Sequence, residues 1–272
     1  MRATTPPWAV SIAVVVMFVQ AFSGPLIVGL LMQDGRGLLA QTLSALTVTL
    51  VSIALVFAVR RFLGRQSWQG VRLTWSWSAL WQALAGVLIG AVAVVTAKAY
   101  AVALFLTDWV PWWETARDAL PYLPLALAIP VLNQAFPEEL LWRGHVYDTL
   151  SARLPTRVVV ITVAGVFGAL HVFSQGGADT LLEKLLYIVT ATALGLACTV
   201  ARMRSGAVWM AVGVHGGFHI GLRLTLTQEA GFGAQLALMA GALVLAAWVV
   251  DMVYRARPHR EPVPVPVPGE TV

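Results

Sequence analysis

Charged residues are scarce along this chain of 272 residues, and cysteine is nearly absent. Only 11% of the residues are charged and 58% are hydrophobic, with a mean hydropathy of +0.77. Soluble domains are about a quarter charged, so a deficit that extends over the whole length excludes an ordinary soluble domain. Cys198 is the single cysteine, which excludes an intrachain disulfide and is typical of a small packing residue in an apolar helix. No stretch indicates nucleic-acid binding.

Long apolar runs take the place of the missing charge. A helix that crosses a bilayer needs about 20 residues, and the chain is long enough for roughly eight crossings. The sequence therefore predicts an all-α, polytopic membrane helix bundle of about eight transmembrane helices, forming a single domain over residues 1–254. Residues 255–272, in which proline alternates with valine from Pro262 to Pro268, are expected to form a disordered, extended cytoplasmic tail. The predicted crossings are 8–32, 38–59, 79–107, 122–154, 157–173, 181–203, 205–224 and 232–253. Pro130 and Pro137 interrupt the fourth, which we therefore expect to be bent or made of two pieces.

Charge placement predicts the orientation of the bundle in the lipid bilayer. Basic residues gather after the second, fourth, sixth and eighth crossings, whereas acidic or nearly neutral loops follow the other four. Loops rich in arginine and lysine stay in the cytoplasm, so both termini are expected there, in a multi-pass protein of the cell membrane. The oligomeric state stays open. Gly213, Gly217 and Gly221 mark one helix face for close packing, which we expect to be internal.

Two adjacent acids, Glu138 and Glu139, follow Pro137 after an uncharged apolar run. Carboxylates in such a position are costly, and they are usually functional. If Pro137 starts a helix, Glu139 and Arg143 are four residues apart in the orientation that favours an ion pair. Glu138 points about 100° away and has no such partner. The pattern predicts one neutralised carboxylate and one free carboxylate suited to a general base, against the alternative of a solvated cluster at the membrane edge.

Three of the five histidines are candidates for the same site: His171 in the fifth predicted crossing, and His215 and His219 in the seventh. His215 and His219 are four residues apart and share a helix face. Counted at about 1.5 Å per residue from the arginine at the cytoplasmic flank of each crossing, Glu138, His171 and His219 lie roughly 21 to 22 Å deep and His215 roughly 16 Å deep. The flanking arginines are Arg153, Arg157 and Arg204. Similar depths are what one shared site requires. A single buried histidine is more often a structural residue than a functional one.

The acids and histidines resemble the motifs of the CPBP family, the CAAX-processing and Abi intramembrane proteases. Glu138-Glu139-x-x-x-Arg143 matches its first motif, Phe167-x-x-x-His171 its second, and His215 the histidine of its third. The resemblance covers roughly residues 121–224. It implies a multi-helix membrane endopeptidase with a water-filled cavity, acting on a membrane-associated protein or peptide.

The resemblance also implies roles for these residues. Glu138 would be the general base and His171 its partner in activating water, with Glu139 and Arg143 as the supporting pair. His215 would help to stabilise the oxyanion. His219 stands where the family commonly has asparagine, and a histidine there can donate to an oxyanion or bind a metal. A zinc ion held by His171, His215 and His219, with Glu138 nearby, is therefore a second hypothesis.

Two further functions stay open on the sequence alone. A catalytically inactive scaffold or immunity-type protein on the same fold would keep the helices without the chemistry. A proton-coupled transporter would also use buried glutamate and histidine as a proton relay. Transport is disfavoured because the chain lacks the repeat symmetry of many transporters.

Overall fold

The computed structural model describes residues 5–32, 37–111, 117–174 and 176–256, except for the side chains of 117–119. Within these residues the chain is all-α, as predicted, and the single strand-like feature is an isolated bridge between Trp109 and Thr227. Residues 257–272 of the predicted disordered tail lie outside the described residues, so that prediction is untested.

The described chain contains eight helical segments, each running back along its neighbour in sequence. They are α1 (Pro6–Leu31), α2 (Leu38–Ala58, extended by the π-helix Val59–Gly64), α3 (Trp77–Ala103), α4 (residues 123–151), α5 (Thr156–Leu170), α6 (Leu181–Ser205), α7 (Trp209–Leu224) and α8 (Phe232–Arg255). Short 3₁₀ turns at Trp68–Val71, Arg117–Tyr122 and His171–Phe173 lie in the connections.

Six of these segments are long and apolar enough to cross a membrane: α1, α2, α3, α5 with its 3₁₀ turn, α6 and α8. The protein is therefore a multi-pass membrane protein. The other two predicted crossings correspond to α4 and α7. Helix α7 has 16 residues, fewer than a typical crossing. Every residue from Met210 to Gly217 is buried against other helices.

Helix α4 is helical from end to end but widens into a π-helix twice. The α-helical pieces Leu123–Pro130, Phe136–Glu139 and Tyr147–Ser151 alternate with the π-helices Val131–Ala135 and Leu140–Val146. Proline lacks an amide proton and its ring crowds the preceding turn, so the helix must open near Pro130 and Pro137. The predicted bend or break is thus replaced by wider π turns, which frequently occur at functional sites.

Glycines bring α3 and α7 into the most extensive helix pair of the bundle. A Cβ on Gly217 would lie 2.2 Å from the carbonyl oxygen of Val87, and a Cβ on Gly213 equally close to that of Ala83. Gly86 and Gly90 of α3 make the reciprocal approach to the backbone of α7. The close packing predicted for the glycine face is therefore internal, and it fixes the positions of His215 and His219 along the axis of the bundle.

Candidate active site

The two acids of α4 lie between its π segments and face different surroundings. The Glu139 side chain is 0% exposed, whereas that of Glu138 is 15% exposed and borders a cavity. The π segment Leu140–Val146 follows immediately and widens the next turns. His145, which an uninterrupted α-helix would place on the face of Glu138, is buried and is not a lining residue of this cavity.

Arg143 neutralises Glu139, as the spacing of the two residues predicted. Its Nη1 lies 3.0 Å from Oε1 of Glu139, and both side chains are completely buried. The guanidinium also donates to the carbonyl oxygen of Gly195 at 2.6 Å and to Oγ1 of Thr199 at 3.3 Å. It stacks on the ring of Phe167, 4.6 Å from the ring centroid. A buried ion pair with these additional hydrogen bonds is a rigid support for neighbouring groups.

The same carboxylate fixes the tautomer of His215. Nδ1 of His215 lies 2.9 Å from Oε1 of Glu139. Because Arg143 is always charged, we assign Glu139 as an ionised carboxylate that only accepts hydrogen bonds. The proton of His215 is therefore on Nδ1. In the neutral ring Nε2 then carries a lone pair, and it lies 4.0 Å from Oε2 of Glu138.

His171 is oriented in the same way. Its Nδ1 lies 2.9 Å from the carbonyl oxygen of Phe167, an atom that can only accept, so Nδ1 carries the proton. The Phe167 ring packs against both histidines, with centroid distances of 4.8 Å to His171 and 5.9 Å to His215. Phe167 thus sets a fixed distance between the ring of His171, in its own motif, and the ring of His215, in the third motif.

His219 completes the group on α7. Its ring stacks on that of His215 with a centroid distance of 5.0 Å and an interplanar angle of 22°. Its Nε2 atom is buried and has no hydrogen-bond partner among the described residues, and the same holds for Oε2 of Glu138. Buried polar atoms without partners are uncommon in folded proteins and indicate a place where another molecule binds.

These groups surround one cavity of about 330 Å³. Glu138, His171, His215 and His219 line it, whereas Glu139 and Arg143 lie behind the wall. The structure therefore brings together the residues that the sequence singled out on three helices. Its walls are mainly apolar and include Met17, Phe18, Ala21 and Phe22 of α1 and Phe232, Leu236 and Met239 of α8.

Four polar residues of the cavity had no predicted role in the site: Gln134, Ser174, Tyr187 and Thr190. Gln134 lies one turn before Glu138 on α4, in the first π segment. Ser174 and Tyr187 also line the cavity, and their hydroxyl oxygens are 3.2 Å apart. The spacing of Gln134 from Glu138 was a usable signal. Ser174 and Tyr187 belong to a loop and the next helix, and no periodic pattern connects them to the motifs.

One group of described residues has ligand atoms close enough together for a metal ion: Glu139, Cys198 and His215, within 4.8 Å of one another. This set does not fit a cation, because the Arg143 guanidinium already pairs with the same carboxylate. The predicted set of His171, His215 and His219 differs from it. Metal-binding histidines usually donate their second ring nitrogen to a protein oxygen, as His171 and His215 do here. The three-histidine site stays a prediction.

Part of the chain matches the model of a known protein family. Residues 120–221 match the family model described as type II CAAX prenyl endopeptidase Rce1-like. The matched region begins just before α4 and ends within α7, so it contains the two acids, Arg143 and the three histidines. No curated protein matches the chain.

Proposed function

We propose, from the premise that residues 120–221 are an Rce1-like type II CAAX prenyl endopeptidase domain, that this protein is an intramembrane endopeptidase using Glu138 as its general base. Membership of this family implies a peptidase, and a peptidase in a membrane acts on protein chains that reach the membrane. The observation that carries the proposal is the contrast between the two acids. Oε1 of Glu139 is held by Arg143 and His215 behind the wall, whereas Glu138 faces the cavity and its Oε2 has no hydrogen-bond partner among the described residues.

The first step would be the activation of water between Glu138 and His215. Two acceptors, Oε2 of Glu138 and Nε2 of His215, lie 4.0 Å apart, so one water about 2.8 Å from each can donate a hydrogen bond to both. Glu138 takes one proton while the water oxygen attacks the carbonyl carbon of the scissile bond. His171 presents a further acceptor nitrogen to the same cavity, and because a water has only two protons, His171 would accept the second proton as an alternative to His215.

The tetrahedral intermediate needs a hydrogen-bond donor for its oxyanion. Neutral His215 has no proton on Nε2, so we assign this role to His219, whose Nε2 is buried and unpaired among the described residues. Glu138 then returns its proton to the amide nitrogen, and the carbon–nitrogen bond breaks to give an amine and a carboxylic acid. The acid passes the remaining proton of the water to the amine, so that an ammonium and a carboxylate leave. Glu139 and Arg143 act indirectly by holding the Nδ1 proton of His215.

A metal-assisted version of the same reaction uses the same residues. His171, His215 and His219 would hold a zinc ion, which when bound supplies a more acidic water and polarises the substrate carbonyl. Glu138 remains the proton acceptor in either version. The two versions differ in whether His219 acts as a donor or as a ligand.

Comparative proteomics of membranes tests the function without a known substrate. Glu138→Gln keeps the shape of the side chain and removes the base, so we expect peptides with newly cut ends to disappear from the variant membranes. Glu229→Gln is the matched control, because this exposed carboxylate lies in the connection before α8. Cut ends that persist unchanged in Glu138→Gln membranes would exclude the mechanism. They would favour an inactive scaffold, or a transporter if reconstituted vesicles take up solute.

A further inference from the structure

The arginines of the bundle gather at one end, which we call the arginine-rich end. Contacts between helix ends join it together: Arg60 of the α2 extension pairs with Asp148 of α4 at 2.8 Å, and Arg204 of α6 pairs with Asp251 of α8. The amide of Val208, just before α7, donates to the carbonyl oxygen of Arg72 at 3.3 Å. Its arginines are Arg60, Arg61, Arg65, Arg72, Arg153, Arg157, Arg202, Arg204 and Arg255.

The opposite end is held together by a separate set of contacts. Oγ1 of Thr107 donates to the carbonyl oxygen of Gln228 at 2.9 Å, and Lys98 donates to the carbonyl oxygen of Thr225. These bonds join the connection after α3 to the connection after α7. The charges that the structure describes at this end nearly balance: Asp108, Asp179, Glu183 and Glu229 against Lys98, Lys184 and Arg223.

The cavity lies in the half of the bundle next to the opposite end. Its lining residues on α6 fall within 187–194, the first half of that helix, and those on α8 within 232–239. Those on α7 fall within 215–222, its second half. Helices α6 and α8 run toward the arginine-rich end and α7 runs away from it, so all these stretches lie at one level. Ser174, in the connection between α5 and α6, lines the cavity at its rim.

We propose that the cavity opens on the extracytoplasmic side of the membrane, and, resting on the proposed function, that its substrates are uncharged apolar chain segments in the outer half of the bilayer. The side follows from the arginine-rich end, because loops rich in arginine stay in the cytoplasm. The substrate class follows from the walls. Among the described residues that line the cavity there is no lysine or arginine, and Glu138 is the single acid.

Cysteine labelling in the full-length protein tests the side directly. The chain has one native cysteine, Cys198, which is buried, so Cys198→Ala gives a background without thiols. Ser174→Cys at the cavity rim and Ser67→Cys at the arginine-rich end form a matched pair of substitutions. The probe is a membrane-impermeant sulfonated maleimide added to intact cells, and again after the membrane has been permeabilised.

We expect Ser174→Cys to be labelled to the same extent before and after permeabilisation, and Ser67→Cys to be labelled only afterwards. If Cys198→Ala impairs folding, the same pair is placed in the native chain, whose buried thiol is protected from the probe. The reverse pattern, with Ser67→Cys labelled in intact cells, would overturn the proposal.

The labelling pattern does not depend on catalysis, so the two proposals fail separately. In a Glu138→Gln background the pattern should be unchanged. If Glu138→Gln membranes retain every cut end while Ser174→Cys is labelled from outside, the protease proposal fails and the cavity side stands. If cut ends disappear but the labelling is reversed, the protease stands and the side is wrong.

Discussion

Glu138 and Glu139 are adjacent residues of one type whose surroundings give them opposite tasks. Glu139 accepts hydrogen bonds from Arg143 and His215 in a fully buried position. Glu138 is 15% exposed and presents an unpaired oxygen to the cavity. A carboxylate that already accepts two charge-assisted bonds is a poor base, whereas the unpaired one can bind and deprotonate water.

Stability distinguishes the two acids. Glu139→Gln leaves the Arg143 guanidinium buried without a counter-ion, which we expect to destabilise the protein by roughly 3–5 kcal/mol. Glu138→Gln removes no ion pair to an arginine, so its thermal midpoint should stay close to that of the wild type while hydrolysis is lost. Thermal unfolding of the two purified variants in the same detergent measures both midpoints. Equal loss of stability in the two variants would contradict the division of roles.

His219 offers a prediction on the oxyanion. Asn can donate a hydrogen bond from a similar position, so His219→Asn should retain most of the hydrolysis rate. His219→Leu has no donor, and its kcat should fall by roughly 10²–10³. The substrate is a peptide found by the membrane proteomics described above. Metal analysis of the purified protein decides the zinc version: stoichiometric metal that is present in the wild type and absent from His219→Asn would contradict the donor role.

At this scale the sequence predicted the Glu139–Arg143 pair, because four-residue spacing on a helix is a local rule. The convergence of His171, His215 and Glu138 on one cavity followed from the similar depths predicted for these residues in separate crossings. The Nδ1 hydrogen bond of His215 to Glu139 and the positions of Ser174 and Tyr187 could not be predicted. They depend on rotations of helices about their own axes, which no spacing in the chain encodes.

The α3–α7 pair sets the position of two histidines of the cavity through backbone contact. Gly217 lies between His215 and His219, and a Cβ there would come within 2.2 Å of the Val87 carbonyl oxygen. A backbone atom cannot move aside as a flexible side chain does. Any side chain at this position therefore pushes α7 away from α3 and displaces both imidazoles from Glu138.

Gly217→Ala should accordingly lower stability by roughly 1–3 kcal/mol through overpacking and reduce hydrolysis as well. Gly241→Ala is the matched control in α8, because a Cβ there meets nothing within 4 Å. It should leave activity unchanged and stability equal or slightly higher, since alanine favours a helix over glycine. Thermal midpoint and cleavage rate are measured for both. Indistinguishable behaviour of the two variants would show that α7 is not held by this contact.

Helix α4 marks the limit of sequence reasoning about elements. The prolines at 130 and 137 predicted an interruption, but not that the chain would stay helical by widening into π turns. Periodicity arguments assume a constant number of residues per turn, so they misplace the side chains that follow the first π segment. This is why His145, seven residues after Glu138, is absent from the cavity lining.

For the whole molecule, composition was enough to predict an all-α membrane bundle, and six helices meet the length and hydropathy of a crossing. The difference from eight comes from α4 and α7. Both carry site residues, and parts of both are buried by other helices rather than facing lipid, so neither has to be uniformly apolar or of full crossing length. A hydropathy argument is weakest for the helices that form the site.

The wall of the cavity is drawn from stretches far apart in the chain. Phe18 and Phe22 of α1 and Phe232 of α8 lie outside residues 120–221, whereas every group assigned to the chemistry lies inside them. On the proposed function, part of the surface that would select substrates is thus encoded outside the stretch that carries the chemistry. Exchanging the first and last helices for those of another protein of this architecture would then change which chains are cut, while the residues that cut them stay the same.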